Sequence, residues 1–471
     1  DGNQTHTPSF IYNGFRYVLA EGITEEQASA NLLTYLKISS LPDCAGEFTC
    51  SDEVINKIQE AAVRSDISNF NYFPTDCPQR EKNGWTADAS LSAEQMLLNL
   101  YPEKCYKEWM RSIYKALNNN GQLPGIVPTG GWGYHWGNGP AWDNVIINLP
   151  YFTYIYRGDK EILEELSTPL MRYLNYLFSR LGKDGIMEIG LGDWCPPGVK
   201  EDEFKTPLAV TDTILTYDIA VKSAFVYEVL GQQPQRQFAL ALAERVKTAF
   251  REKLLNKETG EIKGGTQTGQ AMAIYYGMLT VEEKPKALKL LIKYIADEDG
   301  HFYTGVLGGR VIYRVLAENG HVDLAYNMIV RPDYPSYGNW IKRGATTLWE
   351  GFYPDGGRVL SLNHHFWGDI SAWFYTYLAG IKINPTGRDV TNVDIAPLFP
   401  EKLNSVGAHY KTPNGKIAIN WERTDENSFI LKITAAEKLH GKILLPEGFA
   451  FEDGTHEAEL KSGEFAIRKN T

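Results

Sequence analysis

Helical periodicity that begins near residue 51 and recurs roughly a dozen times before residue 380 is the feature that most limits what this chain can become. The first stretch has Ser51 or Asp52 as its N-cap and places Val54, Ile55, Ile58, Ala61 and Ala62 on one face. Further helical stretches are predicted at 88–100, 102–118, 142–157, 160–180, 212–230, 235–255, 268–278, 280–297, 309–319, 321–330 and 364–379. Gly- and Pro-rich loops run between them, notably 121–140, 191–207 and 331–363, and carry Trp132, Trp136, Trp194, Trp340 and Trp349. Helices alternating with long aromatic loops predict a toroid of helical hairpins, in which inner helices bury apolar faces and loops at one end build a cleft. The expected fold is therefore mainly α, an (α/α)6 barrel.

After Asn384-Pro385-Thr386-Gly387 the pattern changes to period two. Ile417, Ile419 and Trp421 point one way, followed by Phe429, Leu431 and Ile433, then Ile443 and Leu445, with turn signals at Asn414-Gly415 and Pro446-Glu447-Gly448. Residues 386–471 thus read as a C-terminal antiparallel β-sandwich. Residues 10–20 are aromatic and β-branched around Asn13-Gly14, the pattern of a strand or hairpin. Residues 1–45 are accordingly expected to be a short N-terminal β segment, the tail of an upstream β domain, leaving 46–385 for the barrel. A length of 471 residues fits one large domain with smaller additions.

A net charge of −11 with no cluster of Lys and Arg argues against nucleic-acid binding. The most apolar stretch, Val145 to Tyr156, contains Asn148 and Pro150 and is too short for a membrane segment. The opening Asp1-Gly2-Asn3-Gln4 has neither an initiator Met nor a signal-peptide pattern, which leaves open the removal of a leader or an upstream domain. Five cysteines are too few and too scattered for a disulfide scaffold, although a Cys44–Cys50 bridge stays open. Neither compartment nor oligomeric state is indicated.

For chemistry, the absences come first. There is no phosphate loop, no G-x-G-x-x-G, no H-E-x-x-H and no C-x-x-C, and His364-His365 is the one adjacent histidine pair, so neither a metal nor another cofactor is expected. The densest segment is Phe73-Pro74-Thr75-Asp76-Cys77-Pro78-Gln79-Arg80-Glu81-Lys82-Asn83-Gly84-Trp85-Thr86-Ala87-Asp88-Ala89. Its prolines and glycine make a fixed loop, Thr86 is expected to cap the following helix, and Asp76, Glu81 and Asp88 are crowded together. Crowding and partial burial beside Trp85 would raise the pKa of at least one of them. A carboxylic acid protonated near neutrality suits proton donation to a glycosidic oxygen, and a solvated acidic loop paired with Arg80 and Lys82 is the competing reading. A second carboxylate is available in Gly344-Ala345-Thr346-Thr347-Leu348-Trp349-Glu350-Gly351-Phe352. Polar groups also neighbour tryptophan in Trp132-Gly133-Tyr134-His135-Trp136, Trp142-Asp143-Asn144, Gly192-Asp193-Trp194 and Asn363-His364-His365-Phe366-Trp367, and 11 Trp and 27 Tyr suit the mixed faces of sugars. Such aromatics serve equally well as core.

These motifs carry a family resemblance. Asp76-Cys77-Pro78-Gln79-Arg80-Glu81, Gly84-Trp85-Thr86-Ala87-Asp88-Ala89, Gly192-Asp193-Trp194, Thr346-Thr347-Leu348-Trp349-Glu350 and Ser361-Leu362-Asn363-His364 resemble the α-L-rhamnosidases of glycoside hydrolase family 78 over nearly the whole chain. The resemblance implies an inverting hydrolase that releases terminal α-L-rhamnose from a rhamnose-containing glycoside or oligosaccharide. It implies Glu81 as general acid and Glu350 as general base, with carboxyls roughly 6.5–9.5 Å apart so that a water fits between. Asp76, Arg80, Trp85 and Asp88 would grip the rhamnose, joined by Trp136, Asp143, Trp194, Trp349 and His364. Two other readings stay open: another glycosidase built on the same barrel, and a carbohydrate-binding protein without catalysis, against which the presence of both glutamates argues.

Overall fold

In the computed structural model, described for residues 4–15, 17–41, 43–199, 203–357 and 359–470, the helices form a closed double ring. A strand β1 (Gly46–Cys50) leads into α1 (Glu53–Ser68), a hairpin of β2 (Phe70–Asn71) and β3 (Phe73–Pro74), and α2 (Thr86–Asn99). There follow α3 (Glu103–Ala116), α4 (Pro140–Asp143), α5 (Val145–Arg157), α6 (Lys160–Arg180), α7 (Leu208–Val229) and α8 (Gln233–Lys253). The set ends with α9 (Gln267–Tyr275), α10 (Lys284–Asp297), α11 (Val306–Glu318), α12 (Val322–Val330), α13 (Tyr337–Lys342) and α14 (Asp369–Trp373), which runs on as a π turn over Phe374–Leu378.

Sequence character decides which helices lie inside. Helices α2, α9, α11 and α14 are buried along almost their full length, and α5 and α7 nearly so, because they carry apolar and small residues all round. By contrast α3 buries one stripe, Tyr106, Trp109, Met110 and Ile113, and α1, α6, α8, α10 and α12 are likewise one-sided. Contacts run α2–α5–α7–α9–α11–α14 and back to α2, which closes the inner ring. Six inner helices within six outer ones make the (α/α)6 barrel expected from the sequence.

Between its inner helices the ring buries ion-paired side chains. Arg314 Nη2 on α11 lies 2.9 Å from Glu94 Oε2 on α2 and 2.9 Å from Asp369 Oδ2 on α14, and Tyr156 on α5 donates to Glu94 Oε1 at 2.7 Å. Burial alone would raise the Glu94 pKa, but Arg314 and Arg310 outweigh it and hold the carboxylate below its ordinary value.

The C-terminal strands are β4 (Ile381–Ile383), β5 (Val393–Ile395), β6 (Ser405–Thr412), β7 (Gly415–Asp425), β8 (Ser428–Ala435), β9 (Lys442–Leu444), β10 (Phe449–Phe451), β11 (Glu457–Glu459) and β12 (Gly463–Lys469). They form a six-stranded sheet in the order β1-β6-β7-β8-β12-β10 and a four-stranded sheet in the order β11-β9-β5-β4. Pairing is antiparallel except for β5 with β9. The alternating Ile417, Ile419, Trp421, Phe429, Leu431 and Ile433 are buried as their spacing predicts. Trp421 donates its indole N–H to Leu378 O at 2.8 Å, and Arg157 donates to Leu97 O at 2.8 Å, to Leu100 O at 2.9 Å and to the Tyr410 hydroxyl, so side chains lock sheet to barrel.

Several expectations are corrected. Residues 10–20 form no strand among those described; Phe10, Tyr17 and Leu19 are fully or largely exposed, and Arg16 falls outside the described residues. Strand β1, read as the start of the helical region, is instead an edge of the C-terminal sheet. Asp52 rather than Ser51 caps α1, accepting from Val54 N–H at 2.7 Å. Thr86 does not cap α2: it stands one residue inside the helix and its hydroxyl donates to Gly125 O at 3.0 Å. The stretch 364–368 is loop, not helix, because His364 N–H pairs with Leu348 O. Cys44 and Cys50 are free thiols. No helix among the described residues is long and apolar enough to cross a membrane.

Candidate active site

Loops that lead into four of the inner helices, α2, α5, α7 and α14, converge at their N-terminal ends on one cavity of about 820 Å³. Asp76, Arg80, Glu81 and Trp85 precede α2, and Asp88 lies in its first turn. Trp132 and Trp136 precede α4, which supplies Trp142, while Leu191, Trp194 and Val199 precede α7. Glu350, Tyr353, Leu360, His364 and Phe366 come from the long connection into α14. Helix N-termini carry partial positive charge, so this end of the barrel suits a group of carboxylates.

Glu81 and Glu350 converge on one nitrogen of the Arg80 guanidinium. Arg80 Nη2 is 2.9 Å from Glu81 Oε1 and 2.9 Å from Glu350 Oε2, and it also donates to Glu350 Oε1 at 3.1 Å. Those contacts leave the two nearer oxygens no more than roughly 6 Å apart, below the roughly 6.5–9.5 Å between the carboxyl groups of inverting pairs. Trp85 fixes the other oxygen of Glu81 by donating Nε1–H to Oε2 at 2.9 Å. Glu350 is held through its backbone, whose N–H donates to Ser361 O at 2.9 Å while its carbonyl accepts from Trp367 Nε1 at 3.0 Å. Burial raises the Glu350 pKa above its ordinary value, with His364 and Arg80 pulling in the opposite direction.

Beneath this pair lies a buried polar layer. His364 Nε2 is 2.8 Å from Asp88 Oδ1, and its Nδ1 is 4.0 Å from Glu350 Oε2. Burial opposes charge on this ring, but Asp88, Glu350 and Asp76 surround it and push its pKa up to about 9. The adjacent His365 takes the opposite state. Buried and bonded to Ser92 Oγ at 2.7 Å and to Thr75 O at 2.8 Å, it is pushed down to about 4 and bolts the Asp76 loop to α2 as a neutral ring. Asp76 accepts from Asn83 N–H at 2.8 Å and from Cys77 Sγ at 2.7 Å, and burial, reinforced by Asp88 and Glu81, raises it to about 7. Burial, more than crowding by the neighbouring carboxylates, therefore lifts Asp76.

Asp76, Cys77 and His364 are the group among the described residues whose donor atoms, all within 4.8 Å, could gather round a metal ion. Their chemistry fits a hydrogen-bond cluster better. The donor atoms are already engaged within the protein, Cys77 Sγ with Asp76 Oδ2 at 2.7 Å and His364 Nε2 with Asp88 Oδ1 at 2.8 Å.

Tryptophans wall the remaining side. Trp136 meets Trp85 at 5.6 Å and Trp194 at 6.3 Å between ring centroids, and Trp142 meets Trp194 at 6.3 Å, all edge to face. Buried Asp193 holds Trp194 in place by accepting from the backbone N–H of Gly305 at 2.7 Å, Leu307 at 2.9 Å and Gly308 at 3.1 Å, which ties the Trp194 loop to the start of α11.

Comparison with known proteins decides the kinship. The profile described as bacterial alpha-L-rhamnosidase 6 hairpin glycosidase domain matches residues 43–378, and that of the bacterial alpha-L-rhamnosidase C-terminal domain matches 383–454. The chain belongs to the bacterial α-L-rhamnosidase family. An alpha-L-rhamnosidase of Formosa agariphila is 30% identical over 100% of this chain and 51% of its own length. The structure of an alpha-L-rhamnosidase from Dictyoglumus thermophilum superposes with a TM-score of 0.83 at 28% identity, covering 92% of this chain and 51% of that one. The Streptomyces avermitilis alpha-L-rhamnosidase complexed with L-rhamnose gives a TM-score of 0.82 at 25% identity, covering 91% of this chain and 42% of that one. The chain thus spans about half the length of the relatives it matches.

Within this rhamnosidase fold, Glu81, Glu350, Asp76, Arg80, Trp85, Asp88, Trp136, Trp194 and His364 border the cavity, whereas two residues expected from sequence do not. Asp143 is fully buried, its Oδ2 accepting from the Tyr173 hydroxyl of α6 at 3.0 Å, because on the one-turn helix α4 it is Trp142 that faces the cavity. Trp349 is buried between Trp340, 5.9 Å away, and the Arg343 guanidinium, 4.9 Å over its ring, while its neighbour Glu350 turns inward. The loops of Trp132, Trp142 and Phe366 are singled out by sequence without these residues being assigned to the site, and sequence reasoning missed Leu191, Val199, Tyr353 and Leu360. No periodicity marks loop residues, so these last carried no signal.

Proposed function

We propose that this chain is the catalytic unit of an inverting glycoside hydrolase that releases terminal, non-reducing α-L-rhamnose from glycosides or polysaccharide-derived oligosaccharides. The observation that carries the reading is that Glu81 and Glu350, from separate loops, both reach one guanidinium nitrogen, Arg80 Nη2, in a cavity of the rhamnosidase fold. Glu81 gives its proton to the glycosidic oxygen as the C1–O bond breaks. Glu350 takes a proton from the water whose oxygen bonds to C1 from the opposite face, so the sugar leaves as the β anomer. Arg80 stands where sugar and water must fit, and substrate entry exchanges one of its carboxylate contacts for a sugar hydroxyl. Asp76, Asp88 and His364 bind further hydroxyls.

Leu191, Leu360 and Phe366 offer apolar surface for the C6 methyl of a deoxy sugar. A hydroxymethyl there would lose its hydrogen bonds to water without replacement. The test is hydrolysis of p-nitrophenyl α-L-rhamnoside against the α-L-fucoside, β-D-glucoside and α-D-mannoside. The rhamnoside should be strongly preferred, and preference for another of the four overturns the substrate assignment.

The base must be ionised to act, so kcat/KM should rise with pH through the raised Glu350 pKa, placing the acidic limb above 4.5. His364 lowers that pKa as a cation, so His364→Asn should move the limb to higher pH. A pH profile of both proteins checks this; a limb that stays put or falls contradicts it.

A further inference from the structure

Beyond the sugar site, one group of side chains at the rim of the cavity has no role in the mechanism. The loop between α3 and α4 is rich in glycine and raises two indoles into solvent: Trp132 is 48% exposed and Trp136 43% exposed. Gly130, Gly131, Gly133 and Gly137 all have positive φ, a backbone that other residues rarely adopt. The loop is nevertheless anchored. Tyr134 donates its hydroxyl to Ala116 O at 2.6 Å, and the Tyr134 carbonyl accepts from Gln122 Nε2 at 2.8 Å and Asn138 Nδ2 at 3.2 Å. A Cβ on Gly137 would come within 2.6 Å of the Trp85 ring, so the loop is pressed against the residue that orients Glu81.

We infer that Trp132 is a stacking platform for the leaving group, and that the group it takes carries a ring with a flat apolar face next to the scissile bond. This rests on the function proposed above. The general acid must lie beside the leaving oxygen, so whatever is released extends from the rhamnose on the Glu81 side, away from the water activated by Glu350. Outward from Glu81, Trp85 is followed by Trp132, 5.7 Å away and edge to face. Trp136 spans from Trp132 to Trp194 and so belongs partly to the inner wall. Trp132 and Trp136 lie 5.4 Å apart and tilted by 30°, too close to admit a third ring, which needs roughly 7 Å between two stacking partners. A leaving group therefore lies on the outer, exposed face of Trp132. Aryl rings and pyranose rings share this stacking chemistry.

The experiment compares wild type, Trp132→Ala and Trp132→Phe on p-nitrophenyl α-L-rhamnoside, on a rhamnosyl-glucose disaccharide and on α-L-rhamnosyl fluoride, whose leaving group has no ring. Trp132→Ala should lower kcat/KM about tenfold on a ring-bearing substrate, chiefly through KM, and by less than about twofold on the fluoride. Trp132→Phe should restore most of the loss. A loss confined to the nitrophenyl substrate assigns the platform to aromatic aglycones, and one confined to the disaccharide assigns it to oligosaccharides. Equal loss on the fluoride, or no loss on either ring substrate, overturns the inference. A wild-type protein that releases rhamnose from none of the three instead refutes the underlying function, and the platform with it.

Discussion

Glu81→Gln should reduce kcat/KM on a rhamnosyl disaccharide by roughly 10³-fold while sparing α-L-rhamnosyl fluoride, because fluoride departs without a proton and a sugar alkoxide does not. Gln is nearly isosteric and retains an oxygen able to accept from Trp85 Nε1, so the fold and the sugar site should persist. Glu350→Gln should lose a comparable factor on both substrates, since every leaving group requires the activated water. This contrast separates the roles. Equal sensitivity of both variants to the leaving group would mean that the carboxylates have been assigned the wrong tasks.

The second large effect concerns the fold beneath the site. Arg314→Met would leave Glu94 and Asp369 buried without their strongest cation, at a cost of about 3–5 kcal/mol of stability. The loss should appear as a lower urea midpoint and Tm. Arg310 stays nearby, with Nε 3.5 Å from Asp369 Oδ1 and Nη2 3.8 Å from Glu94 Oε2, so some compensation survives. A change below about 1 kcal/mol would show that Arg314 is not what reconciles these carboxylates with burial.

The barrel was legible in the sequence because outer helices must show a stripe and inner helices must be apolar all round; α3 and α7 illustrate the two patterns. The C-terminal strands were legible because one buried face forces alternation, as in Ile417, Ile419 and Trp421. Residues 10–20 have the same local signature, yet the described ones among them pair with no strand, and strand propensity without a partner makes no sheet. In the cavity, the charged loop 76–88 and Glu350 were visible because carboxylates among prolines, glycines and tryptophans are chemically unusual. Which of two neighbours turns inward was not visible. Trp142 was exchanged for Asp143, and Trp349 was taken along with Glu350, since a loop's side-chain directions depend on tertiary contacts such as Tyr173 and Arg343. The Arg80 bridge was likewise hidden, because its second partner lies 270 positions away in the sequence.

The central claim, inversion with Glu81 and Glu350 on opposite sides of the sugar, is tested most directly by proton NMR of the first turnovers on p-nitrophenyl α-L-rhamnoside. The β anomer of rhamnose should appear first and then mutarotate. Initial release of the α anomer, or of no rhamnose at all, would contradict the account.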